Sequence, residues 1–215
     1  MKTRLDIIMP LIKGKDVLDL GCVNMDLKTY DFSNSMHAKI RERCKYLLGI
    51  DFLKSDVDWL REHGYNVICQ NVERLNLKRK FDIVLAGEII EHLSNPGMFL
   101  ESLKKCLKSD GTFILTTPNS LSLERSAKFF LSGKMVLDRN AGHTVYFTIE
   151  TLAELLRRHG FKIEKFYYAH HEVYDSEARG STKPRVAKTV HVIKSAVKSL
   201  RPHFKDTMVV ICKLA

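Results

Sequence analysis

Two rhythms of apolar and polar positions alternate along the chain. The runs DVLDL (16–20), YLLGI (46–50), NVIC (66–69) and FDIVLA (81–86) are short and largely apolar, as strands buried on both faces are. Longer stretches with helical spacing separate them, which predicts a parallel sheet covered by crossover helices in a single α/β domain. Leu100, Leu103 and Leu107 continue a helical stripe, and Ser109-Asp110-Gly111 is expected to close that helix before the strand TFILTT (112–117). Thr148 reads as an N-cap with Thr151 soon after, Leu152, Leu155 and Leu156 form a core stripe, and Gly160 ends the helix. The runs FKIEKFYY (161–168) and TMVVICKL (207–214) bring the strands to seven.

Two segments break this regularity. Pro118-Asn119 ends a strand and opens an irregular stretch, residues 120–147, with Gly133 and Gly142 as turn points. Loops of that length inside a compact domain are usually functional, so this insertion is read as an active-site cover. The second segment, 178–205, holds eight Lys/Arg and no acid. Within it Val186, Val190, Ile193, Val197 and Leu200 follow helical steps, and Lys188, His191, Lys194, Lys198, Arg201 and Lys205 form a second stripe beside them. This predicts a basic amphipathic helical insertion before the last strand. Residues 185–201 could dock on the domain or pair with a second copy, or lie on a membrane surface. Nucleic acid ranks last, because Phe204 is the one aromatic residue interleaved with the basic positions.

Charge changes the picture by its location. The net charge is +10, yet outside 178–205 the chain has 27 Lys/Arg against 25 Asp/Glu. An almost neutral domain carries one basic segment. At 215 residues, 1–215 fits a single domain. The five cysteines include no CxxC pair, which fits neither a disulfide framework nor a thiolate zinc site and suggests a reducing, cytoplasmic compartment. The stretch LDIIMPLI contains Asp6 and Pro10 and is expected to lead straight into the first strand rather than act as a signal peptide. No apolar run approaches the roughly 18 residues that span a bilayer.

The strand ends hold the candidate chemistry. Strand one runs into Asp19-Leu20-Gly21-Cys22, where a glycine permits close backbone approach. Strand two ends at Gly49-Ile50-Asp51, and strand three at Gln70-Asn71-Val72-Glu73. Taken in order, VLDLGC, LLGIDF, VICQNVE, FDIVLAGEIIEHLSNPGMFL, LKSDGTFILTTPN and HTVYFTIETLAELLRRHGF resemble class I S-adenosylmethionine-dependent methyltransferases, specifically the group that includes ubiquinone-biosynthesis-type enzymes. The resemblance covers about residues 12–170. It implies a Rossmann-like, seven-stranded, mostly parallel sheet with helices on both faces and an antiparallel last strand. It also implies S-adenosylmethionine as cofactor, with Asp19 and Gly21 beside the methionine portion and Asp51 on the ribose hydroxyls. Asn71 and Val72 would stand at adenine, the Asn71 carbonyl accepting from the amino group, and Glu88 would lie across the crevice near the methionine end. Val23 and Met25 replace the two later glycines of the family's GxGxG, which narrows the room for the cofactor; Asn24 tolerates left-handed backbone between them.

Glu88-Ile-Ile-Glu91-His92 is the second cluster. Some relatives with an ExxEH sequence hold a divalent ion there with a distant histidine, and His143 is the candidate for that partner. Residues 88, 91 and 92 would then share one helical face. The alternative gives Glu88 to the cofactor, Glu91 to the first turn of its helix and His92 to the substrate side; that alternative is adopted, and no metal is assigned. Methyl transfer needs an aligned acceptor and, for oxygen, a base that titrates near neutrality, for which His92 and His143 are the candidates. His37 is read as a structural or cofactor-lid residue. The expected activity is O-methylation of a small-molecule, glycan or lipid-linked acceptor. An RNA methyltransferase and a non-catalytic S-adenosylmethionine-binding partner protein remain as rivals.

Overall fold

A computed structural model of the chain describes residues 2–23, 32–133, 142–170, 197–198 and 200–215. Seven strands form one sheet: β1 (Asp16–Leu20), β2 (Tyr46–Asp51), β3 (Val67–Cys69), β4 (Phe81–Gly87), β5 (Leu107–Pro118), β6 (Phe161–Ala169) and β7 (Thr207–Leu214). Their spatial order is β3-β2-β1-β4-β5-β7-β6. The pairs among β1 to β5 are parallel, and β7 runs antiparallel to both β5 and β6. This is the Rossmann-like arrangement the sequence led us to expect.

Alternation along each strand divides the core in two, because successive side chains leave opposite faces of a pleated sheet. Leu18, Val84, Phe113 and Val210 pack on one side with Phe99 and Leu103 of α4 (Pro96–Lys104) and Leu152 and Leu156 of α6 (Ile149–Arg158). Val17, Ile83, Leu85 and Val209 pack on the other with Ile8 and Ile12 of α1 (Arg4–Ile12) and Met36 and Ile40 of α2 (Met36–Arg41). Helix α3 (Lys54–Glu62) adds Val57 and Leu60 to a third cluster with Cys22, Val23 and Phe32. Both faces are therefore covered, which is why these strands are apolar throughout.

Three local expectations change. The N-terminal apolar run does not feed directly into β1: it forms α1, started by a capping box in which Thr3 accepts from the Asp6 amide and Asp6 accepts from the Thr3 amide. The helix expected to reach Leu107 stops at Lys104, and Leu107 opens β5 opposite Phe81. The register then jumps, with Ile83 opposite Thr112, so 108–111 bulge from the ladder. A Cβ on Gly111 would meet the Leu107 side chain at 2.8 Å and the Lys108 carbonyl at 2.9 Å, so the bulge closes only around a glycine. The 120–147 insertion is not irregular throughout, since it contains α5 (Leu123–Ser132). Thr148 caps α6 as expected, and its bonds with Thr151 complete a capping box.

Candidate active site

The C-terminal ends of the parallel strands converge where β1 and β4 lie side by side and their onward connections diverge, the place at which open α/β sheets bind ligands. Asp19, in the last turn of β1, is 4% exposed, and one of its carboxylate oxygens lies 2.8 Å from Nδ1 of the equally buried His37 on α2. Asp51 ends β2. Its Oδ2 accepts from the Val23 amide at 3.0 Å and its Oδ1 from the Leu53 amide at 3.1 Å. Burial raises its pKa above the ordinary carboxylate value, and those backbone donors partly oppose the rise.

Glycine is required twice here. Gly21 has φ +74°, and a Cβ there would come within 2.8 Å of Ile89 Cδ1. Gly49 has no room either, with His37, Cys22 and Val67 side chains at 2.7 to 2.8 Å from the place of a Cβ. The glycine turn after β1 thus fits the backbone against Ile89 and does not simply leave a vacancy for ligand. Val23 uses its amide to bond Asp51. Asn24 and Met25 lie outside the described residues. Asn71 caps the 3₁₀ turn 72–74, its side-chain oxygen accepting from the Glu73 amide at 2.8 Å. That carbonyl, expected for adenine, already has a backbone donor. Val72 is buried, and its own carbonyl accepts from the Ser102 hydroxyl at 2.6 Å.

The Glu88 cluster departs most from expectation. Glu88 has φ +52°, so the chain turns sharply directly after β4 and residues 88, 91 and 92 do not share a helical face. Glu88 instead sits 3.3 Å from the Arg4 guanidinium and accepts from the Thr207 hydroxyl at 3.1 Å. Arg4, 3% exposed, escaped the sequence reading; the Thr3-x-x-Asp6 capping signature was the signal that a helix began there. Glu91 and His92 lie on the following 3₁₀ turn, Ile90–His92. Glu91 does not support a helix start: it points inward, 1% exposed, accepting from the Thr117 hydroxyl at 2.9 Å through Oε2, while Oε1 has no hydrogen-bond partner. Burial, then the neighbouring Glu88 charge, push its pKa up to about 8.

His143 is brought to this turn from fifty-one residues away. The amides of Thr144 and Val145 and the Thr144 hydroxyl all donate to the Glu91 carbonyl, and Phe147 bridges to Asn119. The His92 and His143 rings meet edge to face with centroids 4.4 Å apart, Gly142 packs against the His92 ring, and Tyr146 lies 5.8 Å beyond His143. Ligand atoms of Glu91, His92 and His143 all lie within 4.8 Å of one another, one carboxylate and two imidazoles, a donor set suited to a divalent transition metal. Glu88 is not part of that group. A groove of about 800 Å³ between residues 73–77 and α4 shares none of these residues.

The basic insertion falls mostly outside the described residues, which resume at 197. There the Arg201 amide bonds the Val197 carbonyl in helical register. Lys198, on the basic stripe, is buried at 8% and bonds Asp206 at 2.6 Å, while Leu200, on the apolar stripe, is 81% exposed. Among the described residues no helix is long and apolar enough to cross a membrane.

Comparison with known proteins agrees with this architecture. A family described as "Methyltransferase domain" matches residues 2–165. The chain belongs to that family, the class I S-adenosylmethionine-dependent methyltransferases, and its cofactor is S-adenosylmethionine. A ubiquinone biosynthesis O-methyltransferase of Nitrobacter winogradskyi is 37% identical over 114 residues, 50% of this chain and 40% of that protein. A probable S-adenosylmethionine-dependent methyltransferase of Mycolicibacterium smegmatis is 26% identical over 154 residues, 70% of this chain and 53% of that protein. The matched region thus spans about half the length of these curated relatives, or less. Among solved structures, an S-adenosylmethionine-dependent methyltransferase from Archaeoglobus fulgidus shares the fold with a TM-score of 0.62 at 19% identity, covering 98% of this chain and 91% of that one.

Proposed function

We propose that this chain methylates an oxygen of a small-molecule, glycan or lipid-linked acceptor, with His92 or His143 as general base. The observation that carries the reading is the His92–His143 pair, held beside the strand ends by the 142–147 return. The relatives' naming as O-methyltransferases supports oxygen as the acceptor atom. In this reading Asp19, Gly21 and Glu88 line the methionine end, Asp51 takes the ribose hydroxyls, and Asn71 with Val72 borders adenine. Three carboxylates near the methionine and ribose suit a cofactor that carries a sulfonium and an ammonium group.

The acceptor oxygen attacks the methyl carbon in line as the C–S bond breaks, and the electron pair leaves on sulfur to give S-adenosylhomocysteine. The acceptor proton passes to an imidazole. The chain's task is alignment, since the donor is already reactive.

Release of S-adenosylhomocysteine is the assay, run over phenolic, glycan and lipid-linked hydroxyl acceptors and a transfer RNA. Turnover with a hydroxyl acceptor, reduced roughly a hundredfold in kcat by His92→Ala or His143→Ala with an acid limb lost from the pH profile, is expected. Turnover on RNA alone, or unchanged kcat in both variants, would overturn the reading. The unpartnered Glu91 Oε1 favours a second one, in which Glu91, His92 and His143 hold a divalent cation that orients the acceptor oxygen. Methylation abolished by chelation and restored by added cation distinguishes it; activity indifferent to chelation excludes it.

A further inference from the structure

Alternate residues of β1 leave the same face of the sheet, so Asp19 stands with Val17 on the side that α2 covers through Met36 and Ile40. A carboxylate on that side has left water and needs a donor. His37, the second residue of α2 and 2% exposed, supplies one: its Nδ1 lies 2.8 Å from Asp19 Oδ2. An ionised carboxylate can only accept, so the hydrogen sits on Nδ1. Residue 37 arrives there because Ser35 caps α2, its hydroxyl oxygen accepting from the Ala38 amide at 3.1 Å.

The imidazole is also held by its neighbours. Phe32 and Tyr65 each place a ring centroid 6.0 Å from it. Gly49 lies opposite Asp19 in the β1–β2 ladder, and a Cβ there would come within 2.7 Å of His37 Cε1. The ring therefore lies against bare backbone of β2, and the glycine two residues before Asp51 makes room for it. The terminal torsion of a carboxylate is broad, so a donor fixed on these sides sets a direction that Asp19 would not hold alone.

We propose that His37 is a positioning residue for the cofactor: its Nδ1–H orients the buried Asp19 carboxylate to accept the ammonium group of S-adenosylmethionine. The inference rests on the proposed placement of Asp19 beside the methionine portion. His37 itself touches neither cofactor nor acceptor in this arrangement, and it exchanges no proton. The ammonium group is held alike before and during transfer, so the contribution is to binding: loss of the donor raises KM for S-adenosylmethionine and leaves kcat nearly unchanged. A ligand without the amino-acid chain does not feel it, which separates positioning from packing.

The test is calorimetry of the full chain with two ligands: S-adenosylhomocysteine, which keeps the amino-acid chain, and 5′-methylthioadenosine, which has the adenosine and sulfur without it. His37→Leu should weaken S-adenosylhomocysteine about tenfold or more and leave 5′-methylthioadenosine unchanged, as expected for loss of a hydrogen bond to a charged group. His37→Asn, whose amide nitrogen takes the place of Nδ1, should restore most of the affinity. Should the leucine variant not fold, His37→Gln, whose amide reaches the Nε2 position instead, makes the same comparison. Because His37 acts through Asp19, His37→Leu/Asp19→Asn should bind no more weakly than Asp19→Asn. Equal weakening of both ligands, or none of either, would overturn the proposal. A loss in Asp19→Asn with none in His37→Leu overturns this inference alone, whereas unchanged S-adenosylhomocysteine affinity in Asp19→Asn removes Asp19 from the methionine end and this inference with it.

Discussion

Glu91 is a carboxyl group held almost entirely away from water, with one oxygen on Thr117 and the other without a partner. In the unfolded chain it ionises near its ordinary value of 4.5, whereas in the fold it does so near 8. Between those values the native state holds a proton that the unfolded state releases, so stability falls as pH rises. The difference is absent below both values and complete above the folded one. One proton is worth about 1.4 kcal/mol per pH unit, so the loss is about 1 kcal/mol at pH 5, about 3 at pH 7 and about 5 at pH 9, from the shift between 4.5 and about 8. Glu91→Gln keeps the shape of the protonated acid and an oxygen for the Thr117 hydroxyl, and it cannot ionise. Urea unfolding of both proteins across this pH range, in the presence of chelator, should therefore give curves that meet at low pH and diverge upward, the variant becoming the more stable. Parallel curves would refute the assignment of Glu91 as a buried, proton-holding acid. A bound cation demands the carboxylate, so added metal should remove the divergence if the metal-binding reading of the site holds.

Gly21→Ala forces a side chain into left-handed backbone at φ +74° and drives its Cβ to 2.8 Å from Ile89 Cδ1. The backbone alone costs about 1–2 kcal/mol, so a lower melting temperature is expected, and Ile89→Ala should restore only part of it. Full restoration would mean that the clash, not the backbone, is the reason for glycine. Asp51→Asn retains one oxygen for the two amides of Val23 and Leu53 and leaves the other facing an NH₂ group. We expect about 1–3 kcal/mol of lost stability and at least a tenfold loss in S-adenosylmethionine affinity by calorimetry; unchanged affinity would remove Asp51 from the cofactor site.

The sequence by itself determined the sheet. Strands buried on both faces must be apolar on both, and DVLDL, YLLGI and FDIVLA announce that in any context. It also determined that Asp19, Asp51, Asn71 and Glu88 stand at one end of the sheet, because parallel strands joined by crossover helices all finish on the same side. Thr148 capped its helix as read, since a cap is a bond between near neighbours.

What only the tertiary structure decided depends on contacts between distant residues. The pairing of Asp19 with His37, of Glu88 with Arg4, and of Glu91 with Thr117 has no signature in local spacing. Leu107 continues a helical stripe in sequence yet joins β5, because pairing with Phe81 and burial outweigh a weak local preference. Lys198 belongs to the basic stripe yet is buried, because Asp206 lies within reach of its ammonium group. Sequence periodicity assigns a face to each residue; which face meets protein and which meets something else is settled by the partner across the fold.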